Sequence, residues 1–307
     1  MRLAHSSVLW IAGILLVGFA LDPLSWAGVE IESYRDRSAF EARLGSVKVV
    51  GFDDVDTSTD DPASFTADRY QVSHGVVIGA QGGGGQFAGR TFTWGNEFRP
   101  VSSPNTYAAG PPWGSERNTV VTFHSGAQPG VVAGFGLYFI DADWPDWPTP
   151  GAGACSLKIF GAYGGELGDS GTVSGGNGEQ LFFGFVAVDS DTKTPVPVIA
   201  RALITAGSGW PEDDNGEGVV LDDFIFGKPV PDVRITDITA ADEGITLRWV
   251  GQPSWYFTVQ FSSDLLELSS WADLPGYVDL PGPDDEMSAI DTNAPALWRF
   301  YRIRAAQ

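Results

Sequence analysis

Three runs limit the folds open to this chain more than anything else in it: Val131–Phe139 (VVAGFGLYF), Leu181–Asp189 (LFFGFVAVD) and Val219–Gly227 (VVLDDFIFG). Each is apolar, rich in aromatic and β-branched residues, and bounded by Gly, Pro or Asp, as expected of a buried strand. A length of nine residues is short for a buried helix. Val219–Gly227 carries Asp222 and Asp223 inside it, and Val131–Phe139 runs into an acidic, tryptophan-bearing stretch, Asp141–Trp147. Similar but weaker segments recur at intervals of roughly ten residues with turn signals between them, the pattern of a two-sheet sandwich. The 39 glycines and 20 prolines of the 307-residue chain fit many turns, and an aromatic content of 12% argues against disorder.

In order, Ser38–Leu44 is the best helix candidate, of no more than two turns, with Asp36 as its cap. Strands are expected at Val47–Phe52, Val72–Ile78, Phe92–Trp94, Asn118–Phe123, Gly134–Ile140, Ser156–Tyr163, Glu166–Val173, Leu181–Val188, Val198–Thr205 and Val219–Phe226. Asp53–Asp68 and Ser102–Glu116 read as loops. Gly82–Gly85 also reads as a flexible loop, because no helix and lysine follow it to cradle a phosphate. Long loops early and short ones late suit a jelly roll. Gly227–Asp232 (GKPVPD) is the expected linker, stiffened by two prolines. The remainder has strand patterns at Arg234–Thr239, Ile245–Val250, Tyr256–Ser262, around Tyr277–Leu280, Met287–Asp291 and Phe300–Arg304. The expected organisation is therefore a signal peptide (1–27), a jelly-roll β-sandwich (29–228) and a smaller fibronectin- or immunoglobulin-like sandwich (233–307).

The signal peptide is read from Arg2, the apolar core Val8–Ala20, and small residues at Ser25 and Ala27 before the cleavage point. It places the protein outside the cytoplasm, secreted or on the cell surface, with no membrane span after cleavage. Its removal takes away Arg2 and Asp22 and leaves the formal net charge at −21. That charge repels nucleic acid and anionic membranes and attracts divalent cations. Cys155 is the single cysteine, so no disulfide forms within the chain, and calcium is a common alternative brace for an exported protein. Two histidines follow the signal, His74 and His124, too few for a histidine-rich metal site.

Phe52-Asp53-Asp54, Val132–Phe139, Leu167-Gly168, Phe182–Ala187 and Leu221–Gly227 together resemble an exported bacterial domain found in PEP-CTERM-type and planctomycete secreted proteins. The resemblance spans roughly residues 40–228 and implies a lectin-like or carbohydrate-binding jelly roll, with no established activity. The chain departs from the PEP-CTERM pattern in lacking its C-terminal Pro-Glu-Pro motif, apolar span and basic tail. Phe257–Leu265, Trp271–Leu274, Asp291-Thr292 and Arg299–Ile303 resemble an accessory module of secreted bacterial proteins.

Two sets of residues carry candidate chemistry. Calcium takes about six to eight oxygen ligands, mostly carboxylates and carbonyls. The first and last strands of a jelly roll often lie side by side, so Asp53 and Asp54 are expected to meet Asp222 and Asp223 in a structural calcium site. Asp141, Asp143, Asp146 and Glu212–Asp214 are further acidic clusters. The second set is the tryptophans among Gly, Pro and Asp: Trp94, Trp113, Trp144, Trp147 and Trp210. A sugar ring stacks its C–H face on an aromatic plane while nearby carboxylates bond its hydroxyls. Trp113, Trp144, Trp147 and Trp210, with Asp143 and Asp146, are accordingly the expected ligand-binding residues. Gly168–Gly171 (GDSG) echoes a serine-protease phrase, but neither histidine stands in a matching context and a β-turn explains it. The expectation is a non-catalytic protein binding a glycan or matrix component. A structural or adhesive surface protein and a polysaccharide hydrolase are the alternatives.

Overall fold

The computed structural model describes residues 28–306 apart from 60–61, 82–84, 90–99, 111–117, 141, 143–154, 177, 207–218, 232, 234, 242, 253–254, 264–270, 284 and 294–298. The expected signal peptide lies outside the described residues.

In chain order the first unit contains β1 (Val29–Tyr34), α1 (Arg37–Leu44), β2 (Val47–Val50), β3 (Ala63–Ser64), α2 (Gln71–His74), β4 (Val76–Ala80), β5 (Gly85–Gly89) and β6 (Thr106–Gly110). It continues with β7 (Asn118–Ser125), β8 (Gln128–Val131), β9 (Gly134–Ile140), β10 (Ser156–Gly161), β11 (Glu166–Asp169), β12 (Gln180–Asp189), β13 (Ile199–Thr205), β14 (Val220–Gly227) and β15 (Val230–Pro231). One antiparallel sheet runs β1-β12-β9-β14-β6-β5-β3, with β2 also on β14; the other runs β11-β10-β13-β7-β8-β15, with β4 also on β7. The chain crosses between the sheets repeatedly from β6 onward, which makes the unit a jelly-roll sandwich.

The three apolar runs become neighbours. β9 lies between β12 and β14, with Leu137 opposite Phe183 and Phe139 opposite both Leu181 and Leu221. Their inward side chains, including Phe135, Phe185 and Phe224, pack against Val121, Leu157, Ile159 and Ile204 of the second sheet. Both faces of the first sheet are covered, which is why these strands are apolar throughout instead of alternating. The outer cover is α1. Asp36 caps it by accepting from Ala39 N at 2.7 Å, and Phe40 packs fully buried against Phe182, Val186, Val188 and Ile225. Gly184 makes room for that ring: a Cβ there would lie 2.9 Å from Phe40.

Several expectations shift. Val72–Ile78 splits, because Gly75 at φ 74 ends a helical turn containing His74, and β4 begins only at Val76. The loop expected at Ser102–Glu116 contains β6, where Tyr107 is buried against Phe52 at 4.9 Å between ring centroids. Gly85 opens strand β5 instead of belonging to a loop. β1 gave no distinct signal, since its exposure is mixed along its length.

The second unit is a smaller sandwich of two antiparallel sheets. β16 (Ile235–Ala241), β17 (Gly244–Val250) and β21 (Glu286–Asp291) form one. β18 (Tyr256–Ser262) in the other pairs with β19 (Ala272–Asp273), β20 (Leu280–Pro281) and β22 (Phe300–Ala306). Trp249, Phe257 and Leu247 fill its core, and buried Asp291 accepts hydrogen bonds from Arg299 and Tyr301. Among the described residues no helix is long and apolar enough to cross a membrane.

Candidate functional site

β14 changes partner in mid-strand. Leu221 faces Tyr107 of β6, whereas Phe224–Gly227 pair with β2. Between them the register with β9 shifts, and Asp223 sits at φ 41, in the left-handed range that Gly favours and that Asp adopts more readily than most other residues. The two aspartates therefore stand where the ladder is broken, and their side chains replace its bonds. Asp222 Oδ2 accepts from Val101 N at 2.7 Å and Ser102 N at 3.1 Å, and its Oδ1 accepts from Asp223 N at 2.8 Å. Asp223 Oδ1 accepts from Ser102 Oγ at 2.8 Å, and Oδ2 from Arg37 Nη1 at 2.6 Å. Arg37, the first residue of α1, also holds Glu41 at 2.6 Å.

The early strand does meet the late one. Asp53 Oδ1 accepts from Asn105 N at 3.0 Å. A Cβ on Gly51 would lie 2.6 Å from Ser102 Oγ, 3.0 Å from Asp223 Oδ1 and 3.3 Å from Asp53 Oδ2, so these oxygens border one hollow. Asp54 does not join them. It turns to Arg69, at 3.1 Å, and to the Tyr70 hydroxyl, at 2.6 Å.

This donor set does not fit a preformed calcium cage. Arg37 already occupies one oxygen of Asp223, the Asp222 oxygens hold three backbone N–H groups, and Asp53 is exposed. Among the described residues no three His, Cys, Asp or Glu side chains form a metal-holding group. Nor is the pair placed for acid catalysis. Burial, and then the adjacent Asp223 charge, push the Asp222 carboxyl up to about 7. A general acid must reach its substrate, and Asp222 is fully buried with its oxygens committed to the backbone. Ser170 of the GDSG phrase is likewise engaged, accepting from Leu157 N at 2.9 Å and donating to Gly171 O at 2.7 Å.

Trp94, Trp113, Trp144, Trp147, Trp210, Asp143 and Asp146 lie outside the described residues, but the strand ends that carry their segments do not. Ile140 at the end of β9 pairs with Val220 at the start of β14. In the other sheet Ser156 at the start of β10 pairs with Thr205 at the end of β13, which pairs with Asn118 at the start of β7. Tyr107 Oη and Thr119 Oγ1, 3.3 Å apart, tie the two sheets together here. The crossovers β6–β7, β9–β10 and β13–β14 thus all leave and enter at one end of the sandwich. Between them residues 111–117, 141–155 and 206–219 contain Trp113, Trp144, Trp147 and Trp210, and eight acidic residues against one arginine. The segment that contains Trp94 leaves β5 at Gly89 and returns to β6 at Thr106, two positions that pair directly.

Sequence reasoning missed Arg37, Ser102 and Asn105. Their roles depend on contacts 186, 121 and 52 positions away in the chain, and nothing in local spacing signals them.

No family model matches this chain, and no curated protein matches it. Among solved structures it is similar to an arabinose-bound GH51 α-L-arabinofuranosidase, MgGH51, at 15% identity and a TM-score of 0.33 over 58% of this chain and 25% of that one. It thus spans about a quarter of that enzyme's length. It is similar to allantoicase from Saccharomyces cerevisiae at 9% identity and a TM-score of 0.29, over 90% and 95% of the two chains. Similarity to the CBM22-1–CBM22-2 tandem domain of Xyn10C from Paenibacillus barcinonensis is 9% in identity and 0.27 in TM-score, over 80% and 84%. Likenesses of this size carry no argument about what the chain binds or does.

Proposed function

We propose that this is an exported, non-catalytic carbohydrate-binding protein whose ligand sits at the crossover end of the first sandwich. The observation that supports the reading is the register: strands β6, β9 and β13 end, and β7, β10 and β14 begin, at one place, so the segments whose sequences contain Trp113, Trp144, Trp147 and Trp210 start and finish there. Tryptophan supplies the plane for a sugar face, and Asp143 and Asp146 supply acceptors for its hydroxyls. Calcium is proposed at this same end, among the acidic residues of these segments, and not at Asp222–Asp223, whose counter-charge is Arg37.

The test is binding to a panel of soluble and insoluble polysaccharides. Trp144→Ala and Trp210→Ala are expected to weaken binding by about tenfold or more, with melting behaviour unchanged. Binding to no glycan, with retention of matrix protein, would favour the adhesive alternative. Release of sugar from the panel would replace binding by hydrolysis. For calcium, the expected result is a melting temperature raised by the ion and lowered again by EDTA. A melting curve indifferent to both removes calcium from the reading.

A further inference from the structure

The chain between the sandwiches is a strand shared by both. Val230 and Pro231 pair with Val131 and Gly130 of β8, so β15 extends a sheet of the first sandwich. The Val230 side chain at the same time packs against the core of the second, around Trp249 and Phe257. Pro229, just before it, is buried and meets Gly75 so closely that a Cβ there would lie 3.1 Å from its Cγ. A second tie comes from the other side. Gln252, between β17 and β18, donates from Nε2 to Ser125 O at 2.6 Å and to Ser125 Oγ at 3.0 Å. Ser125 ends β7 at its turn to β8, where Gly126 takes φ 63 and the Gln252 amide lies 3.2 Å from the place of its absent Cβ.

We propose that these contacts form a clasp that locks the two sandwiches into one rigid body, with the second held as a stand behind the first. A Pro-containing linker in solution still samples orientations. Here the linker's backbone is committed to a β-ladder, and turning one sandwich against the other either breaks that ladder or draws Val230 out of the second core. The clasp also fixes a direction. β7 starts at the crossover end with Asn118 and finishes at Ser125, so Gln252 grips the opposite end and leaves the crossover end uncovered by the second sandwich. The inference stands on the junction alone and does not depend on what the crossover end binds.

Backbone ¹⁵N relaxation on the full chain tests it. Rigid coupling predicts one rotational correlation time for amides of both sandwiches. A shorter time for the second sandwich overturns the proposal. Gln252→Ala removes both side-chain bonds and is expected to speed amide exchange at Gly130 and Val131 of β8 and at Val230 of β15 by about tenfold or more, while the interior strands β9 and β18 keep their protection. Exchange at these three amides unchanged by that substitution would equally overturn the clasp.

Discussion

Replacing Asp222 by Asn probes the broken ladder of β14 through its pH dependence. Asp222 is fully buried, and its carboxyl is pushed from 3.8 up to about 7, first by desolvation and then by the charge of Asp223. The three N–H groups of Val101, Ser102 and Asp223 oppose that rise without cancelling it. Between 3.8 and about 7 the folded protein holds a proton on Asp222 that the unfolded chain has released. Stability from this group is therefore full at acidic pH, falls as pH rises through that window, and levels off above it. At about 1.4 kcal/mol per pH unit the whole fall is roughly 4 kcal/mol, and about 2 kcal/mol if the 100–105 stretch yields to admit water. Asn is neutral at every pH and has the same shape. Near pH 4 the wild type carries a neutral side chain too, so what separates the proteins there is the acceptor lost when the amide nitrogen replaces one oxygen, a cost of about 1–3 kcal/mol to the variant. Between pH 4 and pH 8 the difference is expected to move by about 2–4 kcal/mol in the variant's favour. Urea midpoints for both proteins at pH values between about 4 and 8 give this double difference, in which the titrations of all other carboxylates cancel. A wild-type-minus-variant difference that is flat across the range would refute the buried, proton-holding Asp222 and the loop geometry behind it.

Three further outcomes are expected. Arg37→Met leaves Asp223 buried without its counter-charge and should cost about 1–3 kcal/mol, discounted because the Arg37 side chain is 30% exposed; adding Asp223→Asn should restore part of the loss, read by urea unfolding. Phe40→Ala empties the contact of α1 with the outer face of the sheet and should destabilise by about 3–5 kcal/mol, whereas Val72→Ala, at a fully exposed position, should be neutral in the same melts. Ser170→Ala removes a backbone staple worth about 1 kcal/mol and should leave the outcome of the polysaccharide-panel assay unchanged, because the Oγ serves Leu157 N and Gly171 O.

Legibility followed the range of the interactions. The helix at Ser38–Leu44 and its Asp36 cap were readable because capping is settled within four residues, and the structure moves the start by one position only. β18 was readable to the residue, since period and boundaries both lie in its own stretch. His74 was misplaced because a glycine at positive φ ended a turn of helix inside what read as a strand. Tyr107 was missed because Pro and Gly around it signal a loop, while its burial is decided by Phe52, Phe65 and Phe224 from three other parts of the chain.

The acidic site shows the same division. Asp53 and Asp223 border one hollow because β2, the strand before Asp53, pairs with β14, whereas the first strand, β1, pairs with β12. That Asp54 would turn away to Arg69 and Tyr70, and that Arg37 would stand where a cation was expected, was not legible in the sequence. The same holds for the tryptophan-bearing segments: the stacking chemistry is a property of the side chains, but that the strand ends flanking these segments meet at one end depends on strand pairing across the sandwich. By itself the sequence determined the all-β class, the two-sandwich division and the kinds of side chain available, because composition, periodicity and turn chemistry act over a few neighbouring residues. Only the tertiary structure decided which aspartate pairs with which partner, which segments converge and how the sandwiches join, because charge pairing, burial and strand register are set between residues far apart in the chain.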